Sequence, residues 1–117
     1  PRVAQHALTP MLTSMTSWRA ENRERIAARA TVFRTATDDL PRWHLLSSGA
    51  YFGYVRHPFT GIGSRQVAET MACKAGVLVI PGAFFGAGQD GALRFAFANA
   101  GRDVIALLAG RLSSLTL

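Results

Sequence analysis

The chain has 117 residues, 49% of them hydrophobic and 17% charged, with a formal net charge of +6. A chain of this length buries roughly two-thirds of its unfolded surface as one domain, and this composition excludes a disordered polymer, a fibrous repeat and a disulfide-stapled miniprotein. The cationic surplus is twelve arginines and one lysine against seven acids, which suits an anionic partner or simply a soluble surface.

The one thiol, Cys73, excludes an intrachain disulfide and a CxxC metal site. No apolar run approaches the ~20 residues that span a bilayer, and nothing at the start has the form of a signal peptide. A cytoplasmic setting is expected. The first residue is Pro1 rather than Met, which fits a piece of a longer polypeptide.

Thr9-Pro10 predicts a helix start, with the hydroxyl as cap and proline in the first turn. From there to Thr37 no glycine or further proline interrupts the chain, and Met15, Trp18, Asn22, Ile26, Ala30 and Phe33 recur at helical spacing. The stripe is thin, and arginines and glutamates surround it, so the long helix should cross a surface or join two bodies. Asp38, Asp39 and Pro41 end it; the two aspartates read as a helix-ending turn rather than an acid/base pair. The arginines of 19–34 spread around the helix rather than along one stripe, which argues against a nucleic-acid-binding face.

Residues 43–58, WHLLSSGAYFGYVRHP, predict extended structure, rich in strand-favouring aromatics and Val55. Ser64 is expected to cap a helix that places Val67, Ala68, Met71, Ala72 and Ala75 on one side, with Cys73 a small buried hydrophobe and Gly76 the C-terminal cap. VLVI, 77–80, predicts a short, fully apolar strand stopped by Pro81-Gly82.

Gly86-Ala87-Gly88-Gln89-Asp90-Gly91 spells G-x-G-x-x-G, a pattern that binds dinucleotide phosphates only when a helix comes next. After Gly91 the chain instead alternates with period two, Leu93, Phe95 and Phe97 on one face and Arg94, Ala96 and Ala98 on the other. That pattern predicts a strand over 93–98, so the dinucleotide reading fails. Val104, Ile105, Leu108, Leu112 and Leu115 predict a closing amphipathic helix over about 102–115. The expected fold is α+β: a small, mainly antiparallel sheet of three to four strands with helices packed on one face, preceded by a long helix. The expected division is a connecting helix region over 1–40 and a small α+β domain over 41–117.

Arg94 is the leading site candidate. A strand-held guanidinium above the methyl groups of Ala96 and Ala98 has room to grip a carboxylate bidentately, although a solvated outer-face arginine fits the same pattern. His6, His44 and His57 lack partners at metal-ligand spacing, and Ser47-Ser48 and Ser113-Ser114 lack a G-x-S-x-G setting.

The motifs GAYFGYV, KAGVLVIPGAFFG, ALRFAFAN and AGRL, in that order, resemble the C-terminal small domain of class I/II aminotransferases, fold-type I enzymes dependent on pyridoxal phosphate. The resemblance covers about residues 43–115 and reaches more loosely over AQHAL and the first helix. It implies that Arg94 binds the α-carboxylate of the substrate, that Tyr51 lies near the substrate, and that Phe85-Gly86 shape the turn before the arginine-bearing strand. It also implies amino acid and 2-oxo acid substrates and a homodimer for the whole protein. The family's cofactor lysine, its pyridine-binding aspartate and its phosphate-binding residues lie upstream of the matched region. Lys74, in MACKAG, reads instead as a surface cation near a helix C-terminus. The chain alone is therefore expected neither to hold pyridoxal phosphate covalently nor to transaminate. Two other readings stand beside this one: an aminotransferase-like effector domain of a transcriptional regulator, and a basic nucleic-acid-binding module.

Overall fold

A computed structural model describes residues 1–117. The chain forms α1 (Arg2–Ser14), α2 (Thr16–Asp38), β1 (His44–Gly49), β2 (Phe52–Arg56), α3 (Ser64–Thr70), β3 (Ile80–Pro81), β4 (Ala92–Phe95), α4 (Arg102–Ala106) and α5 (Leu108–Ser113). Short tight turns fill Gly82–Phe85 and Phe97–Asn99 as 3₁₀ helix, and Met71–Ala75 prolong α3 as a π-helical turn. No helix is long and apolar enough to cross a membrane.

The four strands form one antiparallel sheet in the order β1-β2-β4-β3, so the expected α+β class and strand number hold. β1 and β2 make a hairpin closed by Ala50 and Tyr51, with Gly49 opposite Phe52 and Ala50 at φ +47. One face of the sheet is the core. There Phe33 of α2, 2% exposed, tilts against Phe95 and Phe97 with ring centroids 5.5 and 5.4 Å away. Ile105, Leu108 and Leu112 of the closing helices and Val67 and Met71 of α3 complete the same cluster.

Gly53 of β2 lies directly beneath the Phe33 ring, where a Cβ would overlap the ring edge. Glycine is thus what allows α2 to approach the sheet so closely. Gly53→Val should cost about 1–3 kcal/mol through overpacking, measurable as a lower urea midpoint at unchanged m-value. A loss below about 0.5 kcal/mol would show that the ring moves aside freely.

Several local expectations need correction. The first helix begins at Arg2 rather than Thr9 and takes Pro10 into its interior. At Met15 it divides into two segments, where the hydroxyls of Thr13, Ser14 and Thr16 donate to the carbonyls of Thr9, Met11 and Thr13. None of the residues of α1 is buried. The run VLVI contributes only Ile80 to a strand, with Pro81 as its second residue rather than its stop. Leu78 of that run is 85% exposed. The closing helix breaks at Leu107 into α4 and α5, and Cys73 is exposed rather than buried.

The helix after Ser64 buries Val67, Ala68 and Met71 as expected, and Gly76 closes it in the left-handed conformation at φ +62. Ala72, expected on the same side, is exposed, because the π-helical turn alters the spacing there. Ser64 begins α3, with Gly63 at the cap position, and its hydroxyl does not cap the helix.

Candidate functional site

The face of the sheet opposite Phe33 carries Phe52, Tyr54, Arg94 and Ile80. β2 and β4 pair Tyr54 with Arg94, and β3 and β4 pair Ile80 with Arg94, so Arg94 occupies a central strand with a neighbour on either side. Its backbone is fixed by ladder hydrogen bonds, while its side chain rises on the alternate face from buried Leu93 and Phe95.

The predicted strand over 93–98 ends at Phe95. Ala96 turns out of the sheet at φ −107 and ψ 78, and Phe97–Asn99 coil into a 3₁₀ turn. The expected floor of Ala96 and Ala98 therefore does not lie beneath Arg94. Aromatic rings stand in its place. The guanidinium carbon lies 4.4 Å from the Phe52 centroid and 4.7 Å from that of Phe85. Phe52 comes from the first position of β2, and Phe85 from the last residue of the 3₁₀ turn before the glycine loop.

A guanidinium against aromatic rings keeps its charge, and its terminal nitrogens remain hydrogen-bond donors. The Nε of Arg94 is buried and has no hydrogen-bond partner in the chain. A buried donor without a partner costs about 1–3 kcal/mol. Rings that hold a cation without neutralising it leave its charge available to an anionic ligand.

Tyr51 stands at the hairpin tip, half-exposed, with its ring edge-on to Phe52 at 6.4 Å. It also lines a shallow groove with Trp18, Asn22 and Ile26 of α2. The structure thus links the two predicted site residues through Phe52, which sequence reading did not single out. A signal for Phe52 is present in the chain, because it precedes Gly53 and alternates with Tyr54. Phe85 has no periodicity signal at all.

The G-x-G-x-x-G loop holds itself in shape. Gly86 and Gly88 adopt φ +124 and +76, a region that favours glycine. The Tyr54 hydroxyl donates to Gln89 Oε1 at 2.8 Å. Asp90 Oδ1 accepts both the Ser64 N–H and the Ser64 hydroxyl at 2.8 Å, and Ser64 Oγ in turn accepts the Ala83 N–H at 3.1 Å. Asp90, not Ser64, therefore supplies the acceptor at the start of α3. His57 lies alongside: Nδ1 accepts the Phe59 N–H at 3.3 Å, which leaves Nε2 to donate to the Asp90 carbonyl 3.2 Å away. The loop leads into β4 and not into a helix, and the N-terminus of α3 that meets it is taken up by Asp90.

The Asp90 carboxyl is held below its ordinary value, first by the Ser64 hydroxyl and then by the Ser64 N–H, with nearby His57 adding in the same direction and desolvation opposing. A carboxylate lowered in the folded state stabilises the fold fully above its unfolded pKa. That contribution is lost as pH falls through the unfolded value and then the folded one. The carboxyl ¹³C titration of Asp90 should accordingly have a midpoint below that of an ordinary aspartate, and Ser64→Ala should raise it. A midpoint that stays in place in Ser64→Ala would remove the serine as the cause.

The Lys74 ammonium donates to the Thr116 carbonyl at 3.4 Å, beside the C-terminal residues. Arg94 meets two phenyl rings and no amine. Arg94 thus offers a cation beside two rings, and Lys74 lies instead against the C-terminal end of the chain.

The family model for aminotransferase class I and II matches residues 1–112. Aromatic-amino-acid aminotransferase 2 of Thermococcus litoralis is 29% identical over 98 residues, covering 82% of this chain and 25% of the relative. Among solved structures, the aromatic aminotransferase of Pyrococcus horikoshii superposes with a TM-score of 0.67 at 26% identity, covering 81% of this chain and 26% of its own. An Escherichia coli protein with methionine aminotransferase function shares the fold at a TM-score of 0.75 and 22% identity, covering 96% of this chain and 30% of its own. The chain spans about a quarter of the length of the curated relatives it matches.

Proposed function

This chain belongs to the class I and II aminotransferases, and from that premise we propose that it is the small domain of a pyridoxal phosphate-dependent aminotransferase whose Arg94 binds the α-carboxylate of the amino acid and 2-oxo acid substrates. In this reading residues 1–40 connect the small domain, 41–117, to a cofactor-bearing body elsewhere in the same polypeptide. The cofactor lysine and the contacts of a homodimer belong to that body, and the whole protein works in the cytoplasm.

The observation that carries the reading is the Arg94 guanidinium close to both the Phe52 and the Phe85 ring, with an Nε that has no hydrogen-bond partner in the chain. Pyridoxal phosphate, when bound, supplies the electron sink for amino-group transfer. The part of this chain is different. Arg94 fixes two oxygens of the substrate, and a planar fork on a planar carboxylate removes both translation and rotation of the bound molecule. Holding the α-carbon in one orientation lowers the entropic part of the barrier before any proton moves. The rings of Phe52 and Phe85 exclude water from the faces of the ion pair, which strengthens it relative to an exposed pair. Tyr51, at the hairpin tip, borders the approach to this position.

The test compares two ligands in the protein that carries this chain: an amino acid substrate and the matching amine that lacks the carboxylate. Wild type should strongly prefer the amino acid, and in Arg94→Ala that preference should collapse. An undiminished preference would assign carboxylate recognition to another residue.

A further inference from the structure

The serine–aspartate clasp beneath the glycine loop is one ring away from Arg94, and it ties down a stretch of backbone that the sheet does not hold. Phe52 is held by the β-sheet, but Phe85 sits at the end of a four-residue 3₁₀ turn and precedes two glycines with positive φ. Nothing in the sheet ladder fixes that turn beyond Pro81. Its backbone tie comes from Ala83, whose N–H donates to Ser64 Oγ at 3.1 Å, while the same hydroxyl donates to Asp90 Oδ1 at 2.8 Å; of its side chains, Phe85 meets Tyr54 edge-on at 6.2 Å and Phe84 lies under the Arg65 guanidinium at 5.0 Å. Ser64 is fully buried, and a Cβ on Gly82 would run into the carbonyls of Gln89 and Ala92, so the two ends of the 82–92 loop are pressed together at this point.

We propose that Asp90, acting through Ser64 and the Ala83 N–H, is a positioning residue that holds the Phe85 ring against the Arg94 guanidinium and so sets the affinity of the carboxylate site. The inference rests on Arg94 being that site. The order of contacts gives it direction. The aspartate orients the serine hydroxyl by taking its proton in a hydrogen bond, which leaves the serine lone pair free for Ala83. Ala83 lies two residues before Phe85, within the same turn, so releasing Ala83 lets the turn unwind and carry the ring away. Arg94 then keeps one stacking partner instead of two. It also gains rotamer freedom that must be lost again whenever a substrate binds.

The clasp's hydrogen bonds join Ser64, Ala83 and Asp90 and involve neither Arg94 nor a ring, so no part of it needs to touch substrate. Its loss should therefore show in binding rather than in turnover. In the cofactor-loaded protein, Asp90→Ala should raise KM for amino acid substrates by about 3- to 10-fold, the size expected when one of two cation–π contacts is lost. The value of kcat should stay within about twofold, because a loss of ground-state and transition-state binding in equal measure acts on KM alone. Asp90→Asn, which keeps an acceptor oxygen without the charge, should fall between the two. Phe85→Leu should reproduce the KM increase, and Asp90→Ala combined with Phe85→Leu should add nothing to it.

The same Asp90→Ala change made on Arg94→Ala should leave KM where Arg94→Ala alone put it. An unchanged KM in folded Asp90→Ala would overturn the proposal, as would an equal further rise on the Arg94→Ala background, which would mean general damage. If Asp90→Ala does not fold, an unaltered KM in Phe85→Leu overturns it equally. If Arg94→Ala itself leaves KM unchanged, it is the carboxylate reading that fails. If Arg94→Ala raises KM and Asp90→Ala does not, only the positioning role fails.

Discussion

Arg94→Ala, in the protein that carries this chain, should lower kcat/KM for amino acid substrates by about 2–5 kcal/mol, or roughly 30- to 4,000-fold. The size reflects the site that the substitution leaves behind. A substrate carboxylate would enter a site walled by Phe52 and Phe85, lose part of its hydration, and find no cation in return. Arg94→Lys should recover little of the loss. An ammonium cannot fork to two oxygens, and it is too compact to lie flat between two rings. Measuring kcat and KM separately for the amino acid and the 2-oxo acid decides the matter, because both carry the carboxylate and both should weaken together. A defect confined to one of them would point to a role in the chemistry rather than in carboxylate binding, and a change below about threefold for both would remove Arg94 from the site.

The second large effect concerns the opposite face of the same strands. Phe33→Ala should destabilise the protein by about 3–5 kcal/mol, the range for deleting a buried phenylalanine. Phe33 is the residue through which α2 holds the sheet: it is 2% exposed, tilts on Phe95 and Phe97, and covers Gly53. Gly53 has no side chain to move into the vacated space, so the cavity cannot collapse from that side. Equilibrium urea unfolding monitored by circular dichroism gives the number, and a loss under about 1 kcal/mol would mean that the helix and sheet repack without the ring. Activity at low temperature should survive this change far better than it survives Arg94→Ala. The two substitutions thereby separate the side of β4 that builds the fold from the side that faces a ligand.

Much of the architecture was legible in the chain. Alternation from Leu93 to Phe95 gave the correct inward face of β4, helical spacing gave α2 down to Phe33, and Gly76 marked a real helix end. These signals are local, since a strand or helix with one buried face must repeat its apolar residues at that element's own period. Two of the errors are also of one kind. The alternation ran on through Phe97, yet the strand stopped at Phe95, because the period continues in the residue types while Phe97 reaches the same core from a 3₁₀ turn. VLVI looked like a fully apolar strand, but only Ile80 finds a partner, opposite Arg94. Pairing is a property of two segments, and neither segment states it alone. Cys73 turned outward for a simpler reason: at about 100° per residue it stands nearly opposite the face of Val67, Ala68 and Met71, so the helical period itself told against its burial.

By itself the sequence determined the fold class and the exclusion of a dinucleotide loop, both of which depend on residue type and period along one element, while Arg94 was singled out through the family motif that ALRFAFAN resembles. Only the tertiary structure decided what surrounds that arginine. Phe52 and Phe85, rather than Ala96 and Ala98, flank it, and the Asp90–Ser64–Ala83 clasp links the glycine loop to α3. The physical reason is range. Periodicity reports which side of an element is buried, whereas a stacked ring or a shared hydroxyl depends on where segments distant in sequence come to rest, and that is set by packing the whole sheet at once.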